Sequence, residues 1–421
     1  MSHHLPGMPP HDPAIWADFL ALCGFGGRLT GTPGEIAARN WAAGRLAAIA
    51  PGCVSRQPTP YLGWRCTDGS LHLVDGEKLD SVPLLCCGGT PAAGLELAVV
   101  DCGRGTPEDI RAAGSHLQGR AVLVRHEYMF ATDTVHRRMK LNAAIEAGAA
   151  AFLIAAPVVG MGAVSGSGVA AEGLRPIPAM GVSAEAGARI TATPDARVRI
   201  RLATEWRPDA ATETLIMDLP GAGPERVVLS AHIDGHAPGE SALDNATGVA
   251  AALALARAAA PHVAGLPRGL MLCLFSAEEW ALTGSRAWLA GLPDAVRRTL
   301  VFNLNLDTVT GGSRLTALTS GFAGLNRFVR DAAGAAGVEL GIHLPLMTNS
   351  DHANFAASGI PALRLVSGFN EHDSRIRLLL TRHDRRDLVT LADFDAPMRV
   401  AWAILRAALL APSEQLSKLR N

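Results

Sequence analysis

Residues 227–236 read VVLSAHIDGH: an apolar run, a histidine, an aspartate two positions on, a glycine and a second histidine. The same pattern recurs downstream. Residues 270–280 read LMLCLFSAEEW, with Glu278 and Glu279 at the end of the run, and residues 302–311 read FNLNLDTVTG, with Asp307. Between them lies ALDNATG, which carries Asp244 and Asn245. Each of these four motifs is expected to follow a buried strand, because a strand covered on both faces reads as a continuous apolar run. In open α/β sheets, ligands gather beyond the carboxyl ends of the strands, so scattered polar residues become one site.

The pattern from Glu205 onward is strand, helix, strand. Strands are expected at LIMDL, VVLSAHI, LMLCLFSA, FNLNLDTV and ALRLVSG. Helices are expected over Asn245–Ala259, Gly284–Ala290, Ala323–Ala336 and Ala392–Leu410. Residues 13–50 read as two helices, the second opened by Gly31, Thr32 and Pro33 with Thr32 as its cap. From about Leu71 to Ile200 short apolar runs alternate with Gly and Pro, the texture of a small β-rich module with one helix over Lys140–Ala149. The fold class is therefore α/β, a mixed central sheet with helices on both faces plus an inserted β-rich domain. The expected boundaries are 1–70, 71–200 and 201–421.

The chain has 421 residues, 48% hydrophobic and 18% charged, with a net charge of -1. That balance gives no electrostatic case for nucleic acid or an anionic membrane. The uncharged stretch Ala147–Val164 mimics a membrane span. Gly148, Pro157, Gly160 and Gly162 suit it better to a helix end, a strand and a loop. The opening MSHHLPGMPPHDP lacks the pattern of a secretory signal, and the seven cysteines form no paired framework. A cytoplasmic location is expected.

Two residues apart on a strand end, His232 and Asp234 point the same way. His232 is expected on a metal. Asp234 either supports it from behind or orients the general base. Asp244 opens a helix, where it is either an N-cap or a carboxylate that bridges two ions. Adjacent glutamates at a buried strand end are costly unless paired or metal-bound. Glu279 is expected on the metal and Glu278 as the general base. Asp307 is expected as a ligand, with Asn303 and Asn305 on its face. The mixed nitrogen and oxygen set would hold one or two divalent ions and suits zinc, manganese, cobalt or nickel without choosing among them.

HIDGH…ALDNATG, FSAEEWALTGS, NLDTVTG and SDHANFAASGIPAL resemble the signature segments of the co-catalytic zinc aminopeptidases, metallopeptidase family twenty-eight of clan MH, the family of plasma glutamate carboxypeptidase. GGRLTGTPGEIAARNWAAGRL is similar to the family's N-terminal segment. The stretch GRAVLVRHEYMF…RRMKLNAAIEAGAAAFLIA…RPIPAMGVS resembles a protease-associated insert domain. The resemblance implies His232, Asp244 and Asp307 on a first metal and Asp244, Glu279 and a late histidine on a second. It also implies Glu278 as general base, with Asp234 behind the metal-binding histidine.

The family's late segment runs roughly His-Thr-x-x-Asp-Thr. His383 matches its histidine if Asp387 matches the aspartate, at the loss of both threonines. A register shifted to Thr381 and Asp384 puts Leu380 at the ligand position. The first register is expected because it keeps a ligand; His372 and His352 are weaker candidates. Arg375, Arg377, Arg382, Arg385 and Arg386 crowd the same segment, either as a solvated surface or as forks for a substrate carboxylate. His236 either faces solvent, the more ordinary reading, or lines the pocket, and His352 is a further substrate-contact candidate.

The expected function is a metal-dependent hydrolase of aminopeptidase or dipeptidase type, acting on a short peptide or small molecule. The alternative is a same-fold hydrolase, even a one-metal one, cleaving a non-peptide C–N bond of a small anionic amide or aromatic amine. A non-catalytic binding scaffold of this fold is the third reading, and the Glu278–Glu279 pair argues against it. A homo-oligomer is compatible with the sequence.

Overall fold

The computed structural model describes residues 5–7, 9 and 11–420. Residues 1–4, 8 and 10 of the stretch read for a leader lie outside them. The chain divides into two compact units. The first holds 1–61, 211–379 and 384–421; the second holds 62–210 and 380–383. Within the first unit, Val54–Pro60 pairs antiparallel with Ala211–Leu219 and sets Pro60 beside Ala211. The chain therefore leaves and returns at neighbouring points.

The first unit is built on an eight-stranded sheet. Its order is Val54–Pro60, Ala211–Leu219, Gly269–Phe275, Arg226–His232, Leu300–Leu306, Ala362–Ser367, Leu315–Leu318 and Leu340–His343. The four strands from Gly269–Phe275 to Ala362–Ser367 run parallel. They are buried along their lengths, save for partial exposure of Arg226, as their apolar runs require. All five strands expected in this region are present. Val54–Pro60, Leu315–Leu318 and Leu340–His343 were not anticipated. The first carries Pro58 and Pro60, tolerable only at a sheet edge, and the other two are four residues each.

Helices cover the sheet. Pro33–Ile49 begins as expected: the Thr32 hydroxyl accepts from the Glu35 amide (3.4 Å) and Pro33 occupies the first turn. Thr247–Ala259 is made largely of alanine and leucine and is almost wholly buried, so small side chains bring it close to the strands. Gly248 shows how close, since a Cβ there would lie 2.2 Å from Asn245 Oδ1 and 2.3 Å from the Leu306 carbonyl oxygen. Elsewhere, Phe275, Trp288 and Phe355 pack with ring centroids 5.7–6.2 Å apart in a core with Val228, Met271 and Leu300.

The second unit has its own seven-stranded sheet. Its order is Gly63–Leu73, Arg197–Arg207, Leu95–Asp101, Ala121–Arg125, Ala151–Ala155, Ala179–Val182 and Ser81–Pro83. It starts before Leu71 and ends after Ile200 because Gly63–Leu73 and Arg197–Arg207 pair along their whole lengths. It is also less purely β than expected. Leu95–Asp101, Ala121–Arg125, Ala151–Ala155 and Ala179–Val182 are parallel; helices Pro107–Ala113 and Arg137–Glu146 connect the first three, and Ala184–Thr191 follows the last. Residues 147–164 resolve into a helix end, the strand Ala151–Ala155 and a loop. Among the described residues no helix is long and apolar enough to cross a membrane.

Candidate metal centre

Three adjacent parallel strands end side by side. His232 is the last residue of its strand and pairs in register with Phe275; Glu278 and Glu279 follow Phe275 after two residues, and Asp307 follows Leu306 directly. Asp244 is not at a strand end, contrary to expectation. It lies in the turn Ala242–Ala246 that leads into the helix Thr247–Ala259. Asn245 ties that turn to the Asp307 strand. Its Nδ2 donates to the Leu306 carbonyl (2.9 Å), and its Oδ1 accepts from the amides of Gly248 (2.9 Å) and Thr308 (3.3 Å). The helix-cap reading fails too, since the Asp244 side chain caps nothing in that helix. Ser241, Ala277 and Thr308 all have positive φ (46°, 60° and 57°), and each stands within three residues of a candidate ligand. Strain of this kind clusters where geometry is dictated by function.

The structure brings His232, Asp244 and Asp307 together. His232 Nε2 lies 3.1 Å from Asp244 Oδ1 and 3.5 Å from Asp307 Oδ1. Zinc bonds of about 2.0–2.2 Å in a tetrahedron put ligand atoms about 3.3–3.6 Å apart, so the three side chains fit a metal. His232 Nδ1 faces the Asp234 carbonyl oxygen (3.1 Å), which aims Nε2 at the other two residues. Nε2 is buried and makes no hydrogen bond, which fits a metal-binding nitrogen. A second group of atoms within 4.8 Å of one another joins His232, Glu278 and Glu279.

Asp234 supports the glutamates more than it supports His232. Its carboxylate accepts the amides of Glu278 and Glu279 (both 3.2 Å) and the Thr30 hydroxyl (2.9 Å), and stands 3.7 Å from His232 Nδ1. Thr30 in turn accepts the Ala277 amide (3.1 Å). Arg28, fully buried, donates to the carbonyls of Ile233 (2.9 Å), Glu240 (2.8 Å) and Ser241 (2.9 Å) and so holds the loop between His232 and Asp244.

Burial pushes Glu278 and Glu279 well above the usual carboxylate range; His232 opposes this, and neighbouring carboxylates reinforce it. Burial works against a charge on His232, yet Glu278 and then Asp307 raise its pKa well above the ordinary value. Asp307 is the exception among the acids. Burial would raise it, but Arg364 and then His232 hold it well below the usual range. The cluster thus has more carboxylate than its own cations balance, an environment that attracts a divalent ion.

Arg364 escaped the sequence reading, and Asp384 entered it only as the aspartate of the register not preferred. Arg364 stands in the apolar strand Ala362–Ser367, fully buried, 3.1 Å from Asp307 Oδ2 and donating to the Asn349 carbonyl (2.9 Å). A lone arginine inside such a run is itself a signal, because a buried charge needs a partner. Asp384 accepts the amides of Leu243 (2.8 Å) and Asp244 (3.4 Å), and burial lifts its pKa to about 7. Asp387, the aspartate of the preferred register, is exposed. The aspartate that serves the Asp244 turn is therefore that of the shifted register.

Other candidates fall elsewhere. His383 is in the segment 380–383 that clusters with the second unit, and it enters neither ligand group among the described residues. His236 does not face solvent: it is 3% exposed and its Nε2 lies 2.5 Å from Glu279 Oε2. His352 is fully buried, with its pKa pushed down to about 3 by burial, so it has no surface to offer a substrate. Arg375 grips Asp393 with both terminal nitrogens (2.9 and 2.7 Å). Arg377 and Arg382 stand 3.9 Å from Asp373 and 3.8 Å from Asp80, and Arg386 pairs with Glu240 (2.9 Å).

Residues 214–408 match peptidase family M28, and residues 90–190 match the PA domain. A curated relative, leupeptin-inactivating enzyme 1 of Streptomyces exfoliatus, is 29% identical over 155 residues. That is 37% of this chain, and the chain spans only 35% of the relative's length. Among solved structures, BSAP, a zinc aminopeptidase from Bacillus subtilis, superposes with a TM-score of 0.76 at 20% identity, covering 97% of each chain. A peptidase M28 precursor from Shewanella amazonensis gives 0.79 at 20% identity, over 95% of this chain and 94% of that one. At such identities the likeness establishes the fold.

Proposed function

Since residues 214–408 belong to peptidase family M28 and residues 90–190 form a PA domain, we propose that the chain is a metal-dependent hydrolase of aminopeptidase or dipeptidase type acting on short peptides. The observation that carries the reading is the trio His232, Asp244 and Asp307, two buried and Asp244 partly exposed, set for a metal with Glu278 beside it. One nitrogen and two carboxylates suit zinc, and BSAP is by name a zinc aminopeptidase. Zinc held there supplies a Lewis acid that polarises a scissile carbonyl and acidifies a water.

The chain's own residues do the rest. Glu278 takes the water proton on its carboxylate and returns it to the departing amine. Its raised pKa fits that exchange, since a base must also be a competent acid. Asp234 fixes where Glu278 begins by accepting its amide (3.2 Å). Arg364 and Asp384 keep Asp307 and the Asp244 turn in place. The non-peptide alternative drew on the altered late segment and on the arginine-rich rim. Arg375 is committed to Asp393, so the rim lends that reading little support.

All seven cysteines are unpaired, which supports a cytoplasmic location. The reading is tested with aminoacyl anilides and dipeptides on the zinc-loaded chain. Release of the N-terminal residue, lost on chelation and restored by zinc, is the expected result. Turnover confined to small non-peptide amides or amines would favour the alternative.

A further inference from the structure

We propose that His236 and Glu279 bind a second divalent ion beside the one on His232, Asp244 and Asp307, with Asp244 shared between the two. The inference rests on the reading above, that a first ion binds at that trio. Glu279 belongs to the group that also holds His232 and Glu278. His232 Nδ1 is engaged by the Asp234 carbonyl oxygen (3.1 Å), so its ring offers one nitrogen, Nε2, and the first ion takes it. Glu278 carries the proton. Glu279 therefore needs another nitrogen, and His236 Nε2 stands 2.5 Å from its Oε2.

The contact has the form of two ligands rather than of a hydrogen bond. In a hydrogen bond the oxygen lies along the ring N–H direction. At 2.5 Å the Glu279 oxygen is within reach, yet the contact lacks that direction. Two ligands of one ion both point at the ion and stand side by side. His232 Nε2 and Asp244 Oδ1 (3.1 Å) show the same arrangement at the first position. Glu279 Oε1 is also buried and makes no hydrogen bond, which leaves a desolvated oxygen for a cation. Both residues are held in place. The Glu279 amide donates to Asp234 (3.2 Å), and the His236 amide donates to Ser241 Oγ (3.0 Å). A Cβ on Gly27 would lie 2.1 Å from the His236 carbonyl oxygen, so that loop is packed closely from behind. Asp244 completes the set. Burial does most to raise the Glu279 pKa, and Asp244 raises it more than any other neighbouring charge. Asp244 Oδ1 faces His232, which leaves Oδ2 for the second ion, as a bridging carboxylate requires. Among the described residues His236, Glu279 and Asp244 do not form a group within 4.8 Å. The second position is therefore looser than the first and binds its ion more weakly.

The test is metal content of the full chain. Zinc-free protein is titrated with zinc by calorimetry, and bound zinc is measured by equilibrium dialysis at saturating zinc. About two zinc ions per chain are expected for the wild type, in a tight and a weaker phase. His236→Ala should lose the weaker phase and keep about one zinc per chain, whereas His383→Ala should keep both. Crystals of the zinc-loaded wild type, which need no variant to fold, should give a second anomalous peak beside His236 Nε2 and Glu279. One zinc per chain with no peak beside His236, or a second zinc that survives His236→Ala, would overturn the inference while leaving the hydrolase reading intact. No bound zinc, or a first ion that survives His232→Ala, would overturn both.

Discussion

Replacing Arg364 by methionine isolates the electrostatics of the centre. The arginine is buried, 3.1 Å from Asp307 Oδ2, and also donates to the Asn349 carbonyl (2.9 Å). Methionine keeps most of the volume and removes the charge. Breaking a buried pair by deleting one partner costs about 3–5 kcal/mol, because the other charge is left uncompensated. For a domain of this size each kcal/mol moves the melting temperature by about 2–4 °C, so zinc-free Arg364→Met should melt about 6–20 °C below the wild type. Zinc changes the sign of the local problem. An ion on Asp307 restores the missing positive charge, and the variant should bind zinc no more weakly than the wild type. Under saturating zinc the deficit should shrink to the share of the lost carbonyl hydrogen bonds, about 1–3 kcal/mol. The assay is differential scanning calorimetry of both proteins with chelator and with zinc. An equal deficit in the two conditions would refute the placement of an ion beside Asp307.

Three further substitutions probe the supports. Asp234→Asn turns one acceptor oxygen into a donor facing the Glu278 or Glu279 amide; turnover or zinc affinity should fall about 10–100-fold, read from kcat and a zinc titration. Gly248→Ala places a methyl 2.2 Å from Asn245 Oδ1 and should displace the Asp244 turn, seen as lost zinc at gel filtration; normal zinc content would contradict the close approach. The third concerns pH. Asp351 and Asp384 each rise from 3.8 to about 7, mainly through burial. Their folded pKa lies above the unfolded one, so the zinc-free fold holds more protons than the unfolded chain between those values. Their contribution is therefore fully present below about pH 4 and is lost as pH rises towards 7. Asp384→Asn should make urea stability of the zinc-free chain fall less steeply over that window; an unchanged slope would count against a buried, proton-holding Asp384.

The parallel strands were legible because burial on both faces leaves an unbroken apolar run, and the ligands were legible as the polar residues that end those runs. His232, Glu278, Glu279 and Asp307 all announce themselves this way. Asp244 was legible by chemistry but misplaced, since its turn depends on Asn245 bonding to the Leu306 carbonyl and the Thr308 amide, some sixty residues along. The late segment misled for a physical reason. His383 was preferred because a nitrogen can bind metal, whereas Asp384 serves the site through backbone amides, a role that side-chain type does not reveal. His236 carried no sign of burial, standing between a glycine and an alanine. The arginines looked free because a sequence does not display Asp393 or Glu240 as their partners.

The most direct test of the account is Glu278→Gln, assayed for zinc and turnover on the same sample. The change is nearly isosteric and leaves His232, Asp244 and Asp307 untouched, so zinc content should equal the wild type's. Hydrolysis of an aminoacyl anilide should fall by about 10²–10⁴-fold, the usual worth of a positioned general base. Full turnover in the zinc-replete variant would contradict the account at its centre.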